Sequence, residues 1–157
     1  MIAKSSVNKF YQTSATNPSI HKQEFEIATQ KLIDLIGIEN VKIDLDTRLY
    51  YGRSTLANGT TPSAIVKPIS SSEVQSIVTL ANQYKLPIHP ISTGKNWGYS
   101  DACAVQNGQI LVDLSRMNKI IEVNEKLGFI TLEPGVTQGQ VYDFLEINNI
   151  KLSSRNG

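Results

Sequence analysis

The middle of this chain contains a strand, a helix and a second strand within about 30 residues, a succession that few folds accommodate. Residues 64–67 form a short β-prone run, and residues 88–91 form another. Between them, Ser70 and Glu73 have the spacing of a helix capping box. The apolar positions of this helix repeat at helical spacing: Val74, Ile77, Val78 and Ala81. Because such a connection is typical of parallel strands, we predict that the two strands are parallel neighbours.

The region before this unit predicts one helix and one loop. Residues 1–18 are polar and indicate a mobile arm, after which Pro18 opens a helix that stops at Gly37. One apolar stripe runs along that helix: Phe25, Ala28, Leu32, Leu35 and Ile36. Residues 44–62 hold many polar and turn-forming types, and we predict a connecting loop there.

The region after the unit is rich in predicted strands, at 110–114, 120–123 and 129–132, with a hairpin connection at 124–128. A turn at Pro134 and Gly135 leads to a last helix. The start of this helix is indicated by Thr137 and Gln140, which have capping-box spacing. Its predicted buried face consists of Val141, Phe144 and Leu145, and it is expected to end at Asn148 and Asn149. Residues 151–157 resemble a strand start and a turn, as in a chain cut in mid-course. The fold class that follows is α+β, with a small parallel strand–helix–strand subdomain followed by a strand-rich one.

Composition excludes several classes of protein. The 157 residues are 40% hydrophobic with a net charge of +1, which argues against disorder and against binding to nucleic acid or an anionic membrane. Cys103 is the single cysteine, so disulfide scaffolds and cysteine-rich zinc sites are excluded. Residues 1–16 lack the apolar segment of a signal peptide, and no apolar run reaches the roughly 18 residues of a membrane helix. We therefore expect a cytoplasmic protein.

The loop that leaves the second strand, PISTGKNWGYSDA at 90–102, has the composition of an anion-binding segment. Gly94 and Gly98 permit positive φ and close approach, and hydroxyl and amide side chains add donors. Its position at the carboxyl end of a strand is where ligands bind in open α/β sheets. The loop matches neither a Walker motif nor a Gly-x-Gly-x-x-Gly fingerprint. The residues alone therefore leave two interpretations open, the diphosphate of a dinucleotide and a plain connection between strands.

Several motifs in one order and spacing resemble the FAD-binding, PCMH-type domain of the vanillyl-alcohol oxidase and para-cresol methylhydroxylase flavoproteins. They are TPSAIVKP at 61–68, SEV at 72–74, AN at 81–82, PIHPISTGKNWGY at 87–99, VDLSRM at 112–117 and LEPGVT at 132–137. The form GKNWGY is most similar to the 4-cresol dehydrogenase branch. The resemblance covers about residues 51–157, two thirds of the chain.

The resemblance implies FAD as the cofactor and two segments that bind it. The cofactor-binding residues it implies are Ile91, Ser92, Thr93, Gly94, Lys95, Asn96, Trp97, Gly98, Tyr99, Pro134, Gly135 and Val136. For Pro134, a role in a plain turn is an equal alternative to cofactor binding. For Trp97 and Tyr99, the alternative is packing over the core. Residues 113–117 would be structural and end a strand. Some relatives attach FAD through a histidine in this loop, but the matching position here is Asn96.

The implied organisation is an N-terminal arm and helix at 1–56 and a PCMH-type domain at 57–157, which is shorter than in the family. The implied reaction is hydride transfer from a small organic substrate to FAD, with a 4-alkylphenol or aromatic alcohol as substrate class and a hydroxy acid as the next choice. The catalytic residues are unknown, and homo-oligomerisation is left open. The alternatives are a truncated, non-catalytic fragment and a nucleotide- or partner-binding module without activity of its own.

The remaining polar residues are expected to have ordinary roles. His21 and His89 have no partners at metal-ligand spacing, so no metal site is expected. Cys103 has no histidine at nucleophile–base spacing and is expected to be inert. The pair Asp44 and Asp46 is expected to be solvated. The run at 50–55 could reach the substrate side, but its Arg53 and Ser54 are expected to anchor a loop.

Overall fold

The computed structural model describes residues 18–55, 59–95 and 102–150. The predictions of a mobile arm and of a final strand start therefore lie outside the described residues. The helices are α1 (Pro18–Ile36), α2 (Leu45–Tyr51), α3 (Ser71–Gln83) and α4 (Gln138–Ile147), with 3₁₀ turns at Ile38–Asn40 and Leu114–Arg116. The strands are β1 (Val41–Lys42), β2 (Ala64–Val66), β3 (Ile88–Ile91), β4 (Ile110–Asp113), β5 (Ile120–Asn124) and β6 (Phe129–Leu132).

The larger sheet has four strands in the order β1-β2-β4-β3. Strand β4 pairs in parallel with both β2 and β3, and β1 pairs antiparallel with β2. The prediction that β2 and β3 are neighbours is therefore wrong, although the two strands do run in the same direction. The physical reason is burial. All four residues of β4 are buried, as a central strand requires, whereas β3 is half-exposed and contains Pro90, which suits an edge strand.

Helices α1 and α3 pack on each other and close one hydrophobic core with the sheet. The buried core residues include Leu32, Ile77 and Ile110, each 1% exposed. The predicted core positions Leu35 and Val78 are wrong, since these side chains are 38% and 37% exposed. Their places are taken by Ile33 and Leu80, which pack against the core partly buried. The buried faces therefore differ from the predicted ones only at their edges, since Ala28 and Leu32 in α1 and Ile77 in α3 lie in the core as predicted.

The predicted loop at 44–62 is wrong for its first part, which forms α2. Asp44 caps this helix by accepting a hydrogen bond from the Thr47 N–H at 2.8 Å. The helix offers no buried face that a periodic pattern would reveal. Its apolar residues Leu45 and Leu49 are 58% and 49% exposed.

The predicted hairpin and last helix are confirmed. Strands β5 and β6 pair antiparallel, and the N–H of Gly128 donates to the Asn124 carbonyl at 2.8 Å across their turn. Thr137 and Gln140 form both halves of a capping box at the start of α4, and Asn148 caps its end. The expected buried face of α4 is only half-buried. Among the described helices, none has the length and apolar character needed to span a membrane.

Candidate functional site

Three parallel strands of the larger sheet, β2, β4 and β3, end at the same edge of the sheet. The registers place Val66 beside Val112 and Ile91 beside Asp113. Lys67, the loop after Ile91 and the turn at Leu114–Arg116 therefore leave the sheet side by side. In open α/β sheets the crevice at the carboxyl ends of the strands is the usual ligand site.

The loop after β3 turns back on the sheet at Gly94. The side chain of Ile91 is buried, at 8% exposure, against Ile65 and Leu111. Gly94 has φ of +70°, and a Cβ placed there would lie 3.1 Å from the Ala102 Cβ. Glycine is thus required by the turn itself, apart from any need for close approach of a ligand.

The other predicted residues of this loop divide into those the structure describes and those outside it. Ser92 and Lys95 are exposed and Thr93 is half-buried. Among contacts between described residues, the N–H groups of Thr93, Gly94 and Lys95 make no main-chain hydrogen bond outside helices and strands. Asn96, Trp97, Gly98 and Tyr99 lie outside the described residues. The described half of the loop therefore lies at the ligand edge of the sheet, with Gly94 at its turn.

The second predicted segment packs on the turn at Leu114–Arg116. Gly135 is buried, and its N–H donates to the Met117 carbonyl at 2.7 Å. Pro134 is exposed and Val136 is half-buried. Because β3 also contacts the turn at Leu114–Arg116, the strand that leads into the predicted loop and the second predicted segment meet at the same short turn.

A charged cluster lies at the same edge, and sequence reasoning did not select it as a site. We call it the Asp113 cluster; it consists of Tyr51, Lys67 and Asp113. The Tyr51 hydroxyl donates to Asp113 Oδ2 at 2.6 Å, and Lys67 Nζ lies 3.1 Å from the same oxygen. Lys67 Nζ also donates to the Tyr51 hydroxyl oxygen at 3.2 Å, and Asp113 Oδ1 accepts from the Ser115 N–H at 2.9 Å. The cluster thus joins the ends of α2, β2 and β4.

The pKa values within the cluster favour an ionised carboxylate and a protonated lysine. Burial acts to raise the pKa of Asp113, but hydrogen bonds from Ser115, Tyr51 and Lys67 outweigh it and the pKa is lowered. Burial acts to lower the pKa of Lys67, but its bonds to Tyr51 and Asp113 raise it overall. Burial and the hydrogen bond to Asp113 raise the pKa of the Tyr51 phenol. At neutral pH the cluster is therefore a partly buried ion pair bridged by a neutral hydroxyl.

One sequence signal could have found this cluster. Lys67 and Asp113 are charged residues that directly follow the apolar segments 64–66 and 110–112. Since parallel strands end at one edge, two such residues meet if their strands are neighbours. That adjacency depended on β4 pairing with β2, which the sequence pattern did not predict.

Other candidate residues have local structural contacts or carry no site. Arg53 lies over the Tyr50 ring at 3.8 Å and donates to the Tyr50 carbonyl at 3.1 Å, as expected of a loop anchor. His89 is half-buried in β3, and Cys103 is a free, half-buried thiol. His21 lies in α1. Within residues 18–55, 59–95 and 102–150 no cluster of histidine, cysteine and acidic side chains could hold a metal ion.

Comparison with known protein families matches the chain to the family model described as FAD binding domain, over residues 62–157. Among curated proteins, the chain is 38% identical over 143 residues to the 4-cresol dehydrogenase [hydroxylating] flavoprotein subunit of Pseudomonas putida. That alignment covers 88% of this chain and 27% of the relative.

Solved structures give the same picture. The fold superposes on p-cresol methylhydroxylase with substrate bound at a TM-score of 0.79 and 39% identity, covering 82% of this chain and 26% of that one. It superposes on 4-ethylphenol oxidase from Gulosibacter chungangensis at a TM-score of 0.75 and 34% identity, covering 82% and 25%. The chain thus spans about a quarter of the length of the relatives it matches.

Proposed function

This chain belongs to the family of FAD-binding domains, and from that premise we propose that it holds FAD for the oxidation of a small aromatic substrate. FAD is the cofactor of the domain. The observation that supports the proposal is the glycine turn at Gly94, which follows β3 at the edge where three parallel strands end. We propose that main-chain N–H groups of this turn donate to the oxygens of the FAD diphosphate.

We assign the binding of FAD to residues 91–99 and 134–136. The N–H groups of Thr93, Gly94 and Lys95 would donate to the diphosphate, and the Lys95 ammonium would offset part of its charge. Gly135 has its N–H occupied by the Met117 carbonyl, so its contribution is to hold the second segment tightly against the turn at Leu114–Arg116. The bound flavin supplies hydride-accepting chemistry, and this chain supplies binding and orientation.

The proposed reaction of the protein is hydride transfer from a 4-alkylphenol or aromatic alcohol. The names of the relatives, which refer to 4-cresol, p-cresol and 4-ethylphenol, support this substrate class. We nominate no catalytic base among the described residues. The proposed organisation is an N-terminal arm and helix at 1–56 and the FAD-binding domain at 57–157; the family match, which begins at residue 62, supports it. We also propose a cytoplasmic location and, as partners, FAD and a small organic molecule.

The matched pair Gly94→Ala and Gly128→Ala tests the binding site. Both glycines have positive φ, +70° and +68°, so an alanine is strained by about 1 kcal/mol in either. Gly94 lies in the proposed diphosphate loop, whereas Gly128 lies in the β5–β6 turn with no other atom within 4 Å of an added Cβ. Titration of the purified chain with FAD, followed by quenching of flavin fluorescence, should show a Kd raised at least tenfold for Gly94→Ala and unchanged for Gly128→Ala.

Two results would count against the proposal. Equal FAD affinity in both variants, with circular dichroism showing that both are folded, would remove the loop after β3 from the binding site. A colourless wild-type chain that does not respond to added FAD would instead favour the alternative of a fragment that lacks the cofactor. The observation behind this alternative is that the chain covers only 27% of the length of the Pseudomonas putida relative.

A further inference from the structure

Asp113 connects several segments of the ligand edge. Its carboxylate receives the Tyr51 hydroxyl from α2, the Lys67 ammonium from the end of β2 and the Ser115 N–H from the following turn. Its main chain lies beside Ile91, the residue from which the loop containing Gly94 departs. Asp113 is only 4% exposed, whereas the Lys67 side chain is 29% exposed.

The turn at Leu114–Arg116 is tied to the cluster at both ends. Asp113 accepts from the Ser115 N–H at its start, and the Arg116 guanidinium donates to the Lys67 carbonyl at 2.7 Å near its end. Gly135 rests on this same turn, with its N–H on the Met117 carbonyl. Movement of Asp113 would therefore be passed to both segments that carry the predicted cofactor contacts.

We propose that the Asp113 cluster is a positioning site. It holds the loop after Ile91 and the segment at Gly135 in the relative position that binds FAD. The cluster does not touch the cofactor in this proposal; it acts through the turn at Leu114–Arg116 and through the end of β3. The inference rests on the proposed function, because it assigns a purpose to the cluster only if these two segments bind FAD.

The chemistry of the cluster suits a positioning role. A buried carboxylate with a short ion pair and two further donors has one favourable arrangement, since any displacement leaves a charge without its partners in a poorly solvated place. Tyr51 is central, because its hydroxyl donates to Asp113 and accepts from Lys67. Removal of this hydroxyl removes both hydrogen bonds and so weakens the contacts among the three side chains, without creating a large cavity.

Two disruptive variants, one conservative variant and one control test the inference on the full chain. Asp113→Asn keeps an oxygen for the Ser115 N–H but turns an amide NH₂ toward two donors, and Tyr51→Phe removes only the bridging hydroxyl. Asp44→Asn is the matched control, since Asp44 also accepts a main-chain N–H, but within α2 and from a residue three positions away. Two quantities are measured: the Kd for FAD by fluorescence quenching, and hydrogen exchange of peptides containing residues 91–95 and Gly135.

We expect Asp113→Asn to raise the Kd for FAD about tenfold and Tyr51→Phe about threefold, as expected for lost charge-assisted hydrogen bonds. Both should speed hydrogen exchange in the two peptides of the cofactor-free chain, and Asp44→Asn should change neither quantity. The variants are compared at a temperature where circular dichroism shows each to be folded, and Lys67→Arg, which keeps the charge, should retain most of the affinity.

The outcomes separate the inference from the proposed function. If the wild type binds FAD and Asp113→Asn binds it equally well, the positioning role is overturned and the function stands. Faster exchange in only one of the two peptides, or in neither, also overturns it, whether or not FAD binds. If the wild type does not bind FAD, the proposed function fails, and the assignment of the cluster to the cofactor fails with it.

Discussion

Gly135 is a position where one added methyl group should be costly. A Cβ built on this residue would lie 2.5 Å from the Leu114 carbonyl oxygen, 2.7 Å from that of Met117 and 2.8 Å from that of Ser115. All three atoms belong to the main chain of one short turn, so none can move aside as a side-chain end would. The Gly135→Ala substitution must therefore push the segment away from the turn.

The cost has two parts. Overpacking of this kind destabilises proteins by about 1–3 kcal/mol, and separation of the two segments weakens the 2.7 Å hydrogen bond from Gly135 to Met117, worth about 1 kcal/mol. We therefore expect the free energy of unfolding to fall by about 2–4 kcal/mol. For a chain of this size that lowers the Tm by roughly 6–12 °C, since about 1 kcal/mol corresponds to about 3 °C.

Gly139→Ala is the control for this experiment. It lies four residues further on, in the first turn of α4, where an added Cβ would meet its nearest neighbour, Thr137 Oγ1, at 3.9 Å. Alanine is the better helix former, so this variant should be stabilised by about 0.5–1 kcal/mol. Urea unfolding of both variants and the wild type measures the difference. A loss below about 1 kcal/mol in Gly135→Ala would refute the close packing on the turn at Leu114–Arg116.

Two further predictions concern the core and the response to acid. Leu111→Ala, at a fully buried site in β4, should lower the free energy of unfolding by about 2–5 kcal/mol. The control Leu45→Ala, at a site 58% exposed, should change it by less than about 0.5 kcal/mol. Similar urea midpoints for the two variants would contradict the central place of β4 in the sheet. Because the pKa of Asp113 is lowered from its ordinary 3.8, its ionised form stabilises the fold above that pH, and this contribution is lost as the pH falls through the lower folded-state value. Urea midpoints measured from pH 7 to pH 2 should therefore fall less steeply with acid in Asp113→Asn than in the wild type, and parallel curves would show that the carboxylate does not titrate as the structure requires.

Local features of the fold could be predicted from the sequence because their causes lie within a few residues. The Ser70 hydroxyl accepts the Glu73 N–H, and Thr137 and Gln140 cap each other, so both helix starts depend on neighbours three positions apart. The hairpin at 124–128 depends likewise on its own turn residues. The turn at Gly94 belongs to the same class, since its positive φ is a property of one residue.

Pairing between distant segments could not be predicted. A run of apolar residues such as 110–112 shows that a strand is buried, but it does not name the strand's neighbours. Only the assembled sheet placed β4 between β2 and β3. The packing of α1 on the assembled sheet likewise decided which face of that helix contacts the core. As a result Leu35 is exposed and Ile33 is partly buried.

The sequence by itself therefore determined the identity of most helices and strands, the family resemblance and the glycine turn that carries the proposed FAD site. Only the tertiary structure brought together Tyr51 and Asp113, which are 62 residues apart, and set Lys67 between them. The physical reason is that capping and turn formation are short-range interactions, whereas a partly buried ion pair exists only after the strands that carry its members have been placed side by side.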